Sequence, residues 1–541
     1  MKFTTPAYFR PSPPAANQPI READFVIYGA TAAGIIAAVE AKSRGLRVLV
    51  VNPGWHIGGM TTGGLGYTDF GNEAVIGGRA HQFYQDIGRH YGVAMGWAFE
   101  PSVAAAVFSE MIRRNEIEIV PGFYIAQAHK RERWIYEIIS TTGSRVSGRY
   151  FMDASYEGDL MAAAKVSYTT GRESNYAYGE IHNGFQLLHK NQFVLAVDPF
   201  VKPGHPASGL LQGIHRTGTR PTGSEDKLVQ AYNFRMCMTR RTDIRVAFPK
   251  PHEYRDHDYE LLARYFEAGW DMELKPDGSF LKYDLVGNGK TDTNNNGGFA
   301  SDFIGGNWEY PEASYEKREE IFQRHLNYQR GLYWFLQHSP RVPAAVQAAF
   351  RSYGLAGDEF TDTQNWPPQL YIRECRRMLG ETVITEHHCM SREPVDDSVA
   401  MAAYTMDSHN CQRVVVDGRV WNEGDVQVNL PAPYGISYRA LTPRRLECAN
   451  LLVPVCLSAT HIAYGSIRME PVFMSLAQSA AIAVAHAMRG DIAVQEVCPE
   501  DLKRDLAAAG IVLALEQIAP AARENGSSGN PSVALWMPLK S

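Results

Sequence analysis

Gly29-Ala30-Thr31-Ala32-Ala33-Gly34 follows the apolar run Asp24–Tyr28 without a break and leads into small and apolar residues as far as Ser43. Glycines so spaced, between a buried strand and a helix, suit the binding of a dinucleotide pyrophosphate. Gly29 permits the tight turn, amides at the helix N-terminus face the phosphates, and Gly34 lets helix and strand pack closely. Ala30, Ala32 and Ala33 complete the candidate binding turn. Arg47 to Val51 reads as a second apolar strand, which ends at Asn52. An acidic residue ordinarily stands there to accept hydrogen bonds from the adenosine ribose. Asn52 can bond the ribose only neutrally, which weakens the grip. Thr31 replaces the middle glycine, keeping its amide but adding a hydroxyl and bulk near the phosphates. Taken alone, these glycines also fit a purely structural turn in another α/β protein.

The continuation decides between the two. Asn52 is followed by Pro53-Gly54-Trp55-His56-Ile57-Gly58-Gly59-Met60, which puts a glycine pair six and seven positions past the ribose position. This resembles the extended fingerprint of flavoproteins of the glutathione-reductase structural class, where the pair passes close to the pyrophosphate and side chains would collide. The resemblance implies FAD rather than NAD, with Pro53, His56, Gly58, Gly59, Met60, Thr61, Gly64 and Leu65 along the cofactor. It also gives His56 a noncovalent place beside the ribose and pyrophosphate, in preference to a covalent histidyl link.

Flavin redox chemistry places the reacting carbon near flavin N5 and often needs a base, for which histidine is the usual choice at neutral pH. His461, in Ala459-Thr460-His461-Ile462-Ala463-Tyr464-Gly465-Ser466, precedes an apolar helix and is the first candidate, with Tyr464 beside it. His387 and His388 follow a predicted strand, so at most one of them would reach the flavin. His409 is a further candidate that fits a structural loop equally well. Arg373, Arg376 and Arg377 are predicted on a helix, where Arg373 shares a face with Arg376 or Arg377 by i, i+3 or i, i+4 spacing and could with it anchor an anionic substrate or the flavin phosphates. Surface salt bridges are the commoner fate of such a cluster. Arg468 could stabilise charge on the reduced flavin or pair with Glu470. Asp292-Thr293-Asn294-Asn295-Asn296-Gly297 copies half a calcium loop, but Phe303 stands where the bidentate Glu belongs. It is predicted to be a turn-rich loop, and no metal is expected.

Several elements must position these groups. Helices are predicted over 77–91, from Pro101 through Arg113, and over 315–337. Strands are predicted over 116–120, 122–128 and 134–141, then Arg149 to Met152, which ends in Asp153-Ala154-Ser155. Ala154, Ser155 and Glu157 stand where the flavoprotein class lays its chain beside the cofactor. A last strand over 450–455 leads through a polar loop carrying Ser466, Ile467 and Arg468 into a helix opened by Pro471. In this class that helix N-terminus points at the flavin's pyrimidine edge, where its positive end stabilises the reduced flavin.

A chain of 541 residues with net charge −6 argues against general nucleic-acid or anionic-membrane binding. No apolar run is expected to span a bilayer. The seven scattered cysteines form no CxxC pair, so reduced thiols and a cytoplasmic location are expected.

The runs GATAAGIIAAVEAKSRG, PGWHIGGMTTGGLGYTDFG, DASYEGDLMAAAKVSYTTGRES, YIRECRRMLGE, MDSHN, YRALTPRR and LSATHIAYGSIRMEPVFMSLAQSAA resemble the bacterial FAD-dependent oxidoreductase family sometimes mislabelled as xanthan lyase. The likeness runs from about Asp24 to Gly490. It implies an α/β fold with a Rossmann-type FAD-binding domain split in sequence and an inserted mixed α+β substrate domain. The expected partition is an extended arm over 1–22, FAD-binding segments over 23–165 and 432–495, a substrate domain over 166–431 and an extension over 496–541. The expected reaction removes hydride from a C–H bond of a small or medium organic substrate, polyhydroxylated or ring-bearing, to flavin N5. The sequence leaves the electron acceptor open among oxygen, a quinone and a redox protein. A flavin monooxygenase and a non-catalytic flavin-fold binding protein are the alternatives.

Overall fold

The computed structural model describes residues 5–11, 19–270 and 281–518. Parts of the expected arm (1–4 and 12–18) and of the C-terminal extension (519–541) lie outside the described residues.

β1 (Arg21–Tyr28), α1 (Ala32–Ser43) and β2 (Val48–Asn52) form the predicted strand–turn–helix–strand unit. β1 pairs in parallel with β2, Phe25 opposite Val48 and Tyr28 opposite Val51. Two of the helices that follow match their predicted extents, α2 (Gly78–Tyr91) and α3 (Pro101–Arg114). Pro101 sits in the first turn of α3, where its missing N–H has no intrahelical acceptor to lose. β3 (Glu118–Pro121) runs parallel to β2. β4 (Ile125–Arg131) and β5 (Trp134–Ser140) make an antiparallel meander that returns through β6 (Arg145–Asp153), parallel to β1. The order across the sheet is β3-β2-β1-β6-β5-β4. The strand Leu451–Leu452 joins the same sheet, parallel to β6. It is shorter than predicted. Pro454 follows closely and has no N–H to give a ladder.

The helix Glu470–Gly490 packs against α1. Both are rich in alanine, which lets the axes approach, and every residue from Ala32 to Ala41 is buried. Burying Ile35 or Ile36 is worth about 1.5–3 kcal/mol each. Glu40 is buried on this face and is satisfied by Arg44 Nε (2.6 Å) and Gln478 Nε2 (3.1 Å). Helix Glu470–Gly490 is long and apolar enough to cross a membrane, contrary to the sequence expectation, yet 89% of its apolar window is buried inside the protein.

A second, antiparallel sheet includes Met236–Thr239, Leu281–Val286 and Lys290–Asn295. The last of these departs from the predicted loop. It is a buried strand because its polar side chains find buried partners. Asp292 takes Arg235 Nε (2.7 Å) and the Tyr67 amide (2.9 Å), and Thr291 bonds Thr293 (2.8 Å). Among the described residues no group of three or more His, Cys, Asp or Glu could hold a metal. The long helix Tyr315–His338 forms as predicted, capped by the Ser314 hydroxyl on the Lys317 amide.

Two expectations fail. Arg373 and Arg376 are not helical; they lie on an irregular extended stretch, and Arg377 opens a two-residue strand with Met378. Buried acids on separate segments draw the guanidiniums apart. Arg373 pairs with Asp302 (3.0 Å), Arg376 with Asp159 (2.7 Å), and Arg377 with Glu173 and Glu374. His387 and His388 lie on a one-turn helix, Glu386–Cys389, started by Thr385. The side chains of Thr385 and His388 cap it reciprocally, at 3.0 Å between Oγ1 and Nδ1.

Candidate functional site

The carboxyl end of β1 and the first turn of α1 open into a cleft lined by Gly29, Ala30, Thr31, Asn52, Pro53, His56, Gly59, Ser155 and Glu157, all expected there. Ala32 and Ala33 belong to the first turn of α1, so their amides have no acceptor within the helix. Gly34 lies beneath: a Cβ there would stand 2.0 Å from the Gly29 carbonyl oxygen. Gly59 has φ +58°, and its Cβ would meet the Tyr156 hydroxyl at 2.2 Å. Ala154 supports the turn by accepting from the Thr31 hydroxyl (2.8 Å), which also caps α1 on the Gly34 amide (3.2 Å). The Thr31 side chain therefore braces the fold, and its bulk is accommodated.

Asn52 is also a brace. Its Oδ1 accepts from the Ala30 amide (2.9 Å), and its Nδ2 donates to the carbonyls of Gly54 (2.9 Å) and His56 (3.0 Å). The side chain locks the glycine turn to the loop beyond β2. Within that loop His56 stands 3.7 Å from Asp362, and burial lowers its pKa below the usual imidazole value.

The N-terminal segment supplies another wall. Ala7, Tyr8 and Arg10 line the same cleft. Glu319 accepts from the amides of Tyr8 (2.7 Å) and Phe9 (2.8 Å), and Tyr124 donates to the Tyr8 carbonyl (2.9 Å). Of the arm expected over 1–22, residues 7–10 form a strap across the cleft. Its signal in the sequence is Tyr8-Phe9, an aromatic pair in a proline-rich stretch.

Toward the other end, the Tyr156 hydroxyl accepts from the Met60 amide (2.9 Å) and donates to Glu470 (2.8 Å), which also accepts from Thr61 (2.7 Å). Burial raises the Glu470 pKa to about 7. Burial and the neighbouring Asp159 do the same to Glu157. Thr61, Leu65, Tyr371, Arg468 and Glu470 line a second, small cavity. Gly64 lies against the Arg235 backbone; a Cβ there would stand 2.1 Å from its carbonyl oxygen. Ser466 and Ile467 point into the core, Ser466 bonded to Tyr434 (3.0 Å). Arg468 does not pair with Glu470. It bonds the Tyr371 hydroxyl (3.2 Å) and Asp407 (2.9 Å).

Asp407 begins a buried chain of charge. Its carboxylate stands 3.8 Å from His409 Nε2, while His409 Nδ1 bonds Asp302 (2.7 Å), the acid paired with Arg373. Burial and Arg373 lower the His409 pKa below the usual value, which keeps the ring neutral at neutral pH. His461 is also buried, with Nδ1 on Glu374 (2.7 Å); burial and the guanidiniums of Arg377 and Arg172 push its pKa to about 3. Neither His461 nor Tyr464, whose hydroxyl donates to the Val455 carbonyl (3.1 Å), lines the cleft. His387 and His388 do not line it either.

A family model described as "FAD dependent oxidoreductase" matches residues 24–506. The chain belongs to this family. Its cofactor is FAD, and the cleft fits one: Gly29, Ala30 and Thr31 line it at the start of α1, and the backbone approaches closely at Gly29, Gly34 and Gly59, where a Cβ would collide. No curated protein matches the chain. Solved structures are similar to parts of the chain. Thioredoxin reductase of T. acidophilum is 20% identical over 25% of this chain and 35% of its own, with TM-score 0.17. L-amino acid deaminase from Proteus vulgaris is 13% identical over 35% and 57%, with TM-score 0.24. A flavin-containing monooxygenase from Stenotrophomonas maltophilia is 12% identical over 29% and 44%, with TM-score 0.19. The matched region thus spans between 35% and 57% of these structures' own lengths.

Proposed function

We propose that this oxidoreductase oxidises a C–H bond of a small or medium organic molecule. FAD, when bound, accepts the hydride at N5. We read 23–165 with 432–495 as the part that holds FAD and 166–431 as the part that holds substrate.

One observation carries the reading. From the small cavity at Thr61 and Glu470, a continuous chain of polar contacts runs through Arg468, Asp407, His409 and Asp302. Asp302 accepts from Nδ1 and leaves the Nε2 lone pair of a neutral imidazole free to take a proton. Both His409 and His461 set Nδ1 on a buried acid, and neither lines the cleft. His409 is linked through Asp407 and Arg468 to the small cavity, whereas burial and neighbouring guanidiniums push the His461 pKa to about 3, so His409 is the better base. The buried arginines Arg373 and Arg468 hold the two acids in place.

The test is anaerobic flavin reduction by substrate in His409→Gln. A fall of roughly 10²- to 10⁴-fold, with FAD affinity unchanged, is expected for loss of a general base. Because the pKa of His409 is lowered, the wild-type rate should be level at neutral pH and fall as acid protonates the ring. Wild-type rates in His409→Gln would overturn the assignment.

A further inference from the structure

A third cavity, of about 610 Å³, lies in the region read as the substrate domain, on the far side of helix Tyr315–His338 from the dinucleotide cleft. Phe322 of that helix faces the cleft, whereas Arg324 and Tyr328 face this cavity. Its volume is in the range of small-molecule sites.

Arg413 reaches the cavity from the strand Gln412–Val416 and is only 2% exposed. Its Nε donates to Asn422 (3.1 Å), and its guanidinium lies over Phe299 with 4.9 Å to the ring centre. Nη2 is buried and has no hydrogen-bond partner, and no described carboxylate lies within ion-pair distance of this side chain. An arginine cannot shed its proton, so a buried guanidinium without an anion is costly to keep. The surroundings indicate what would complete it. Phe303 stacks on Tyr328, with ring centres 4.4 Å apart and planes 7° apart, so a rigid aromatic pair forms part of the lining. Arg324, an exposed residue of the lining, holds its guanidinium 5.7 Å from the Phe303 ring centre and is a second cation there. Of the two acids on the lining, Asp258 is engaged by Arg255 (3.1 Å), which leaves Glu253.

We propose that this cavity binds an organic carboxylate with a flat aromatic body. The carboxylate accepts from Arg413, Arg324 draws it in, and the ring lies against Phe303 and Tyr328. The site is distinct from the FAD cleft and does not depend on the proposed reaction.

Benzoate is the probe, titrated calorimetrically into the FAD-loaded protein, with benzyl alcohol and inorganic phosphate as comparisons. The expected result is saturable binding of one benzoate, with no detectable benzyl alcohol binding and weaker phosphate binding. Its Kd should rise about tenfold or more in Arg324→Ala, an exposed position that spares the fold, and in Arg413→Met. The flavin absorption spectrum reports location and should not change on benzoate binding. Absence of saturable benzoate binding would overturn the proposal. So would affinity unaltered by both substitutions, phosphate binding as tight as benzoate, or a flavin spectral shift that survives both substitutions.

Discussion

Replacing Asn52 with Asp puts an acid where a dinucleotide turn ordinarily carries one, and by sequence logic alone FAD binding should improve. The structure predicts the opposite. The Asn52 amide donates to the Gly54 and His56 carbonyls at 2.9 and 3.0 Å while its oxygen accepts from Ala30. An aspartate keeps the last bond, loses the other two, and sets a carboxylate oxygen against two carbonyl oxygens. At about 1 kcal/mol per lost hydrogen bond, with a further penalty for buried acceptors left unsatisfied, the apoprotein should lose about 2–4 kcal/mol. FAD should bind about tenfold more weakly as Ala30 and His56 shift. The pH dependence has a definite sign. Burial and the two carbonyls raise the folded-state pKa of the introduced acid above its unfolded value of about 3.9. The deficit is therefore smallest below that unfolded value, where the protonated acid donates to one carbonyl and lacks only the other bond, and complete above the folded one. Apoprotein melting and quenching of FAD fluorescence, each measured on both sides of the transition, read the two effects. Unchanged melting with equal or tighter FAD binding would refute the brace and return Asn52 to the ribose.

Glu319→Ala removes the acceptor for the Tyr8 and Phe9 amides, so the strap should loosen. FAD dissociation is expected to quicken about tenfold and chymotrypsin to gain access at Tyr8 and Phe9; unchanged rates and cleavage would separate the strap from the cofactor. Thr31→Ala loses the α1 cap and the bond to Ala154, and should lower the thermal midpoint for a loss of about 1–2 kcal/mol while changing FAD affinity less than about threefold. A large loss of affinity without destabilisation would mean that the hydroxyl touches phosphate.

The strand–turn–helix–strand unit and the helices packed around it are legible in the sequence because their signals are local. A glycine at a strand end, a proline in a first turn and an unbroken apolar run are each decided by near neighbours, and β1, α1, α3 and the helix Glu470–Gly490 form where those signals lie. The other parts depend on distant partners. Arg373, Arg376 and Arg377 have the spacing of a helical face, but their buried acids, Asp302, Asp159 and Glu173, come from three other segments. Lys290–Asn295 is polar enough to pass for a loop, and partners met in three dimensions, the Arg235 and Asn233 side chains among them, allow it to be buried. His409 is open to either reading in the sequence. Its link through Asp407 and Arg468 to the small cavity separates it from His461, which looks better placed along the chain.

The central claim is that an organic C–H donor reduces the flavin. Its most direct test is the visible spectrum of the purified protein under anaerobic conditions, as candidate organic substrates and then NADPH are added. The account predicts yellow protein whose FAD is released by acid and which is bleached by an organic substrate but not by NADPH alone. Rapid bleaching by NADPH without substrate would contradict it and favour a monooxygenase, and yellow colour retained after acid precipitation would contradict the noncovalent role of His56.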